Sequence, residues 1–175
     1  MKIKILYDNK AKSGFKSDWG FSALITKEEK ILFDTGAKPS VLKYNMEKLK
    51  IKKQEIDKIV LSHFHNDHIG GLRSVLNDHC TIYLLTSLPT SYKRKLKSMA
   101  DIKEISDKIK ISEGIFTTGE INGGLREQSL FIELSKGLLL LTGCAHPGLS
   151  KIMEYISDYG QINTVIGGFH GFNNY

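Results

Sequence analysis

Between Leu61 and Gly70 the chain carries four metal-binding side chains, His63, His65, Asp67 and His68, within six consecutive positions. They follow directly on the apolar stretch 57–61, and no other feature limits the fold as strongly. Side chains so close in sequence can converge on ions only where the backbone turns sharply, so the run demands a β-strand feeding a short, ordered loop. In an extended segment His63, His65 and Asp67 project to one side. Asp67 and His68 stand just before Gly70-Gly71, beyond which a helix is expected over 72–77. One loop can thereby serve two adjacent ions. With six His in 175 residues, chance does not readily assemble H-x-H-x-D-H, and the false-positive risk of the motif is small.

Strand-like segments Lys2–Tyr7, 21–26 and Lys30–Phe33 open the chain, the last ending in the polar turn Asp34-Thr35-Gly36. Pro39 is placed for the first turn of a helix in which Leu42, Met46 and Leu49 recur at helical spacing. A strand is expected over Thr81–Leu85, a helix over 92–100, short β pieces through 102–118, and strands over 129–134 and Leu138–Thr142. The last of these runs into Gly143-Cys144-Ala145-His146-Pro147-Gly148, followed by a helix with Leu149, Ile152, Met153 and Ile156 on one face. A final strand, 163–166, opens into Gly167-Gly168-Phe169-His170. Strand, Gly-containing loop, His or Asp at the tip: the scheme occurs three times, and α/β scaffolds build sites from such tips. His79 stands outside it, with no companion ligand, and reads as a structural or surface residue.

At 175 residues and 41% hydrophobic, the chain suits one ordinary core and one domain, 1–175. It has no apolar run long enough to span a bilayer, and its start is too short and too alternating for a signal peptide, so a cytoplasmic protein without a membrane partner is expected. Cys80 and Cys144 form no C-x-x-C pattern, which fits a reducing compartment; Cys80 reads as packed at a strand start, and Cys144, two residues from His146, reads chiefly as a small buried hydrophobe and secondarily as a soft metal ligand. The net charge of +6 raises nucleic acid as a partner. The lysines, however, are scattered among acids. In 92–100, Tyr92, Leu96 and Met99 share a face and leave the basic residues outward, chiefly as a solvated face and secondarily as an attraction for an anionic ligand.

The segments Asp34-Thr35-Gly36, His63-Phe64-His65-Asn66-Asp67-His68, Thr142-Gly143-Cys144-Ala145-His146 and Gly168-Phe169-His170, in that order, resemble the metallo-β-lactamase superfamily. Trp19 to Ile25, Glu127-Gln128-Ser129-Leu130, Leu141 to Gly148 and Val165 to His170 look more narrowly like its 7,8-dihydropterin-6-methyl-4-(β-D-ribofuranosyl)-aminobenzene-5′-phosphate synthase-like branch. The resemblance runs from the first strand to His170. It implies an α/β fold, an αβ/βα sandwich of two mixed sheets with outer helices and metals at one edge. His63, His65 and His146 would form a first metal site, Asp67 and His68 would begin a second, and His170 stands where most relatives carry a bridging acid. The family supplies one further His near its C-terminus, and this chain stops at Tyr175, so a shortened C-terminal part is expected, with His170, water or a partner subunit completing the second site.

Three imidazoles leave one position open on a tetrahedral zinc, whose bound water ionises near neutral pH to give a hydroxide nucleophile. One or two divalent ions are expected, zinc first, with iron, manganese or nickel compatible with the donors. Asp67 doubles as the catalytic residue that orients the water, and Asp34 anchors the loop through a hydrogen bond to a ligand. The expected activity is metal-dependent hydrolysis of a small phosphorylated or cyclic-phosphate substrate, pterin or ribosyl phosphate included. Alternatives are a nuclease of the same fold and a non-catalytic metal-binding remnant. A homo-oligomer is compatible with all three.

Overall fold

The computed structural model describes residues 1–170; of the expected features, only the chain end at Tyr175 lies outside them. The chain divides into two compact units, Met1–Leu84 with Leu88–Glu104, and Leu85–Ser87 with the stretch from Ile105 onward.

The first unit is built on a six-stranded sheet of order β1 (Lys2–Tyr7), β2 (Ser22–Thr26), β3 (Lys30–Phe33), β4 (Lys58–Val60), β5 (Thr81–Leu85) and β6 (Asp101–Ile105). β1, β2 and β3 pair antiparallel, whereas β3 with β4 and β4 with β5 pair parallel. The parallel strands are the most apolar, Ile31, Leu32, Phe33, Ile59 and Val60 being wholly buried, as strands covered on both faces must be. Helix α1 (Pro39–Lys48) begins with Pro39 in its first turn and buries Val41, Leu42 and Met46. One polar residue on that buried face has a structural task. The Asn45 side-chain amide donates to the carbonyls of Leu6 at 2.9 Å and Lys16 at 2.8 Å, and its oxygen accepts from the Lys16 amide at 2.9 Å. It thus pins the loop after β1 to the helix.

Parallel pairing of β3 with β4 puts their C-terminal ends at one edge, where Asp34 and the histidine run emerge. The helix expected over 72–77 is instead two short pieces. A single turn, α2 (Asn66–Ile69), starts inside the histidine run, and Leu72–Ser74 is a 3₁₀ turn. The cause is local: the His65 carbonyl accepts from the amides of His68 at 3.0 Å and Ile69 at 3.1 Å, closing a turn before the glycines. Gly71 is needed for close approach, since a Cβ there would stand 2.2 Å from the Thr35 carbonyl oxygen. Helix α3 (Thr90–Lys97) buries Leu96. Its Lys93 and Lys97 reach Glu104 of β6 at 2.6 and 3.0 Å, so Lys93 is not the outward solvated residue that helical spacing implies.

The second unit has a five-stranded sheet of order β11 (Ile162–Gly167), β10 (Leu138–Thr142), β9 (Leu130–Glu133), β8 (Ile115–Thr117) and β7 (Ile109–Ser112). Only β10 and β11 pair parallel. Helix α4 (Leu149–Tyr155) and the turn after it bring Ile152 and Ile156 against Phe131, Leu138 and Leu140, the apolar face that the sequence spacing marks; full burial of each isoleucine contributes about 1.5–3 kcal/mol. Both sheets are mixed and both carry helices, as expected for the fold.

Replacing Asn45 by Ala should strand the Leu6 carbonyl and release the loop after β1, lowering the unfolding free energy by about 2–3 kcal/mol. A urea midpoint unchanged from the parent would show that this tie does not stabilise the unit.

Candidate metal centre

At the edge where β3 and β4 end, the backbone of Asp34 takes a positive φ of 55°, a left-handed conformation that Asp tolerates better than most residues. Its amide still donates to the Val60 carbonyl at 2.9 Å, and its carbonyl accepts from the Ser22 hydroxyl at 2.7 Å. The next residue clamps the histidine run, because the amide and the hydroxyl of Thr35 both donate to the His68 carbonyl, at 2.7 and 2.9 Å. The Gly71 amide closes the clamp on the Gly36 carbonyl at 3.0 Å.

That geometry buries the Asp34 carboxylate entirely and surrounds it with donors. Oδ1 accepts from the Ser62 amide at 2.7 Å; Oδ2 accepts from the Ser62 hydroxyl at 2.7 Å and from Nδ1 of His68 at 2.6 Å. The consequences for the ring nitrogens follow from proton counting. Since His68 gives its Nδ1–H to Asp34, a neutral ring presents a lone pair at Nε2. Ser62 has one hydroxyl proton, and with that proton on Asp34 its oxygen accepts from Nδ1 of His63 at 2.8 Å. His63 therefore also presents a lone pair at Nε2. A single carboxylate sets two tautomers, one directly and one through a serine, which is how outer partners orient metal-binding histidines.

The atoms so exposed fit metal ions. Nε2 of His63 lies 3.2 Å from Nδ1 of His65, and Nε2 of His68 lies 3.3 Å from Oδ2 of Asp67. Two ligands on one tetrahedral ion at zinc bond lengths stand about 3.3 Å apart. A lone pair and a carboxylate oxygen at that separation repel unless a cation, proton or metal, sits with them. His63 and His68 are fully buried, His65 is exposed and Asp67 is intermediate, so the run offers a buried side that is held and an outer side open to a substrate. His63 and His65 belong to one group of ligand atoms that could hold an ion, and Asp67 and His68 to another.

In the second unit, His146 and His170 leave the C-terminal ends of the adjacent parallel strands β10 and β11, where Thr142 pairs with Gly167. The amides of Gly168 and Phe169 both donate to the Gly143 carbonyl, at 2.8 and 3.1 Å, so the two loops are tied together. The group that shapes the His146 loop enters the sequence only within the resembling string 127–130, with no role of its own. Glu127, 1% exposed, accepts from the amides of Ala145 at 3.1 Å and His146 at 2.9 Å and from the Thr142 hydroxyl at 3.1 Å, holding Ala145 at a positive φ of 58°. Its local sequence sign is a polar run, Glu127-Gln128-Ser129, leading into an apolar strand. Ser62 was passed over as well; a hydroxyl between a strand end and a histidine was the available signal. Cys144 is buried, 2% exposed, and its thiol is among the ligand atoms that could hold an ion.

Asp34→Asn should replace an acceptor by a donor facing His68 or Ser62 and weaken zinc binding by about 10–100-fold, read by competition with a chromophoric chelator. Ser62→Ala, which cuts only the relay to His63, should fall toward the lower end of that range. Unaltered zinc affinity in both variants would refute the carboxylate's role.

The pattern of the metallo-β-lactamase superfamily matches residues 20–158, a stretch that runs through both units. An uncharacterized protein of Methanocaldococcus jannaschii is 33% identical, the alignment covering 96% of this chain and 78% of that protein. The 7,8-dihydropterin-6-methyl-4-(β-D-ribofuranosyl)-aminobenzene-5′-phosphate synthase of the same organism is 30% identical over 90% of this chain and 72% of its own length. Among solved structures, a metal-dependent hydrolase of the β-lactamase superfamily superposes with a TM-score of 0.82 at 26% identity, covering 99% of this chain and 78% of that one. With the motifs, the sheets and the matched stretch in agreement, this chain belongs to the metallo-β-lactamase superfamily and has its fold.

Proposed function

We propose that residues 1–175 act as one metallo-β-lactamase-like domain, a metal-dependent hydrolase of a small phosphorylated or cyclic-phosphate substrate, with pterin- or ribosyl phosphate-related compounds in scope. The observation that carries this reading is the pair of ligand couples at 3.2 and 3.3 Å, in each of which Asp34 sets the tautomer of the buried histidine, His63 or His68. His63, His65 and His146 hold the first ion, and Asp67, His68 and His170 the second. Zinc suits this nitrogen-rich set, and iron, manganese and nickel accept the same donors. When bound, such ions supply Lewis acidity and a water that ionises near neutral pH. The chain's own residues do the rest: Asp67 orients the attacking water and takes up its proton, the exposed His65 stands on the substrate side, and Asp34 keeps His63 and His68 in their ligating tautomers. A phosphorylated substrate is supported by the synthase relative, whose name specifies a ribofuranosyl 5′-phosphate.

A nuclease is disfavoured, because it needs a contiguous basic track with stacking aromatics, and Lys93 and Lys97 of the most basic helix are both drawn to Glu104. Neither cysteine forms a disulfide, which supports a reducing, cytoplasmic setting. Among the described residues no helix is long and apolar enough to cross a membrane.

A panel of phosphomonoesters, cyclic phosphodiesters, lactones and thioesters should reveal a turnover that chelation abolishes and zinc restores. His65→Ala should cost more than the roughly 100-fold typical of losing an outer partner, with the circular dichroism spectrum retained. Zinc titration should show two steps, one weakened by His146→Ala and the other by His170→Ala. Zinc bound without turnover on any substrate would favour the non-catalytic remnant, and an unchanged His65→Ala rate would sink the mechanism.

A further inference from the structure

Helix α3 has a cationic side that the metal chemistry does not use. A cavity of about 200 Å³ opens in the first unit between this helix and the histidine run, with Asn66, Arg73, Tyr92 and Lys95 among its lining and Leu96 and Met99 as apolar walls. No carboxylate lines it. Lys93 and Lys97 share the one carboxylate of Glu104, whereas among the described residues neither Arg73 nor Lys95 has an ion-pair partner. Two uncompensated cations at one cavity are unlike the scattered, acid-interleaved charge of the rest of the sequence. Tyr92 adds a neutral donor: burial pushes its phenol up to about 12, against a downward pull from the nearby Arg73 guanidinium. Its ring meets Phe64 of the histidine run edge to face, centroids 4.9 Å apart. Asn66 sits between His65 and Asp67 in sequence, so the cavity wall adjoins two of the metal-binding residues.

We propose that this cavity is a phosphate-binding subsite, in which Arg73 and Lys95 neutralise, and the Tyr92 hydroxyl and Asn66 amide donate to, a phosphate group that anchors the substrate beside the metals and is not itself cleaved. The assignment deepens the hydrolase reading and rests on it for the identity of the phosphate's carrier. Guanidinium and ammonium groups together supply the charge-assisted hydrogen bonds that phosphate oxygens take.

The test is calorimetric titration of inorganic phosphate into the full chain, zinc-loaded and EDTA-treated. Phosphate should bind in both states, since the subsite needs no metal. Arg73→Ala and Lys95→Ala should each weaken it about tenfold or more, with zinc content unchanged. Arg94→Ala removes an equal charge from the exposed side of the same helix and should change affinity less than about twofold, the scale of a solvated surface charge. Binding confined to the zinc-loaded protein and lost in His63→Ala, no binding at all, or an Arg94→Ala effect equal to that of Arg73→Ala would each overturn the subsite. Turnover on the substrate panel separates the two readings: phosphate binding without metal-dependent turnover overturns the hydrolase and leaves the subsite standing. Turnover with phosphate affinity indifferent to Arg73 and Lys95 does the reverse.

Discussion

The buried carboxylate of Asp34 is the constraint around which the first unit's active edge is arranged. An ionised carboxylate out of water costs several kcal/mol unless its oxygens are satisfied, and here three donors, two from Ser62 and one from His68, do so. Those bonds fix the strand end, the serine and both buried histidines relative to one another. The left-handed backbone at Asp34 and the two Thr35 bonds to the His68 carbonyl belong to the same arrangement, because the carboxylate can reach its donors only if the chain reverses at that residue. Folding the turn and selecting the ring tautomers are therefore one event.

Much of this edge was legible in the sequence. Alternation of His63 and His65 behind an apolar strand, a polar turn after Phe33 and further histidines behind β10 and β11 all mark strand ends, and strand ends are where side chains of distant sequence meet. What escaped notice was of two kinds. The single turn α2 is too short to carry a period, being closed by backbone bonds to the His65 carbonyl before the glycines that appeared to announce a helix. Ser62 and Glu127 act through hydrogen bonds with partners as far as 28 and 19 positions away, and no local pattern records such a partner. Helix α3 shows the same limit: spacing identified its apolar side, but the Glu104 that draws in Lys93 lies on β6, eleven positions on.

The two units stabilise their histidines by different physics. In the first, a carboxylate bonds to a ring nitrogen and to a serine that bonds to another ring, so the protonation state is under control. In the second, Glu127 bonds to backbone amides and controls the path of the chain. A change at Asp34 thus acts on acid–base character, whereas a change at Glu127 acts on position.

The tie between the β10 and β11 tips has a bearing on how such a site diversifies. Both amides that meet the Gly143 carbonyl belong to the main chain, and the parallel ladder beneath them is likewise backbone alone. Those main-chain bonds do not themselves dictate the side chain at position 170. A single codon change there exchanges an imidazole for a carboxylate, or for a donor of another hardness, while the tip keeps its place. Under the proposed ligand set, the lineage can in this way alter which ion it prefers, and how strongly charge is offset around it, without first rebuilding the strand that carries the residue.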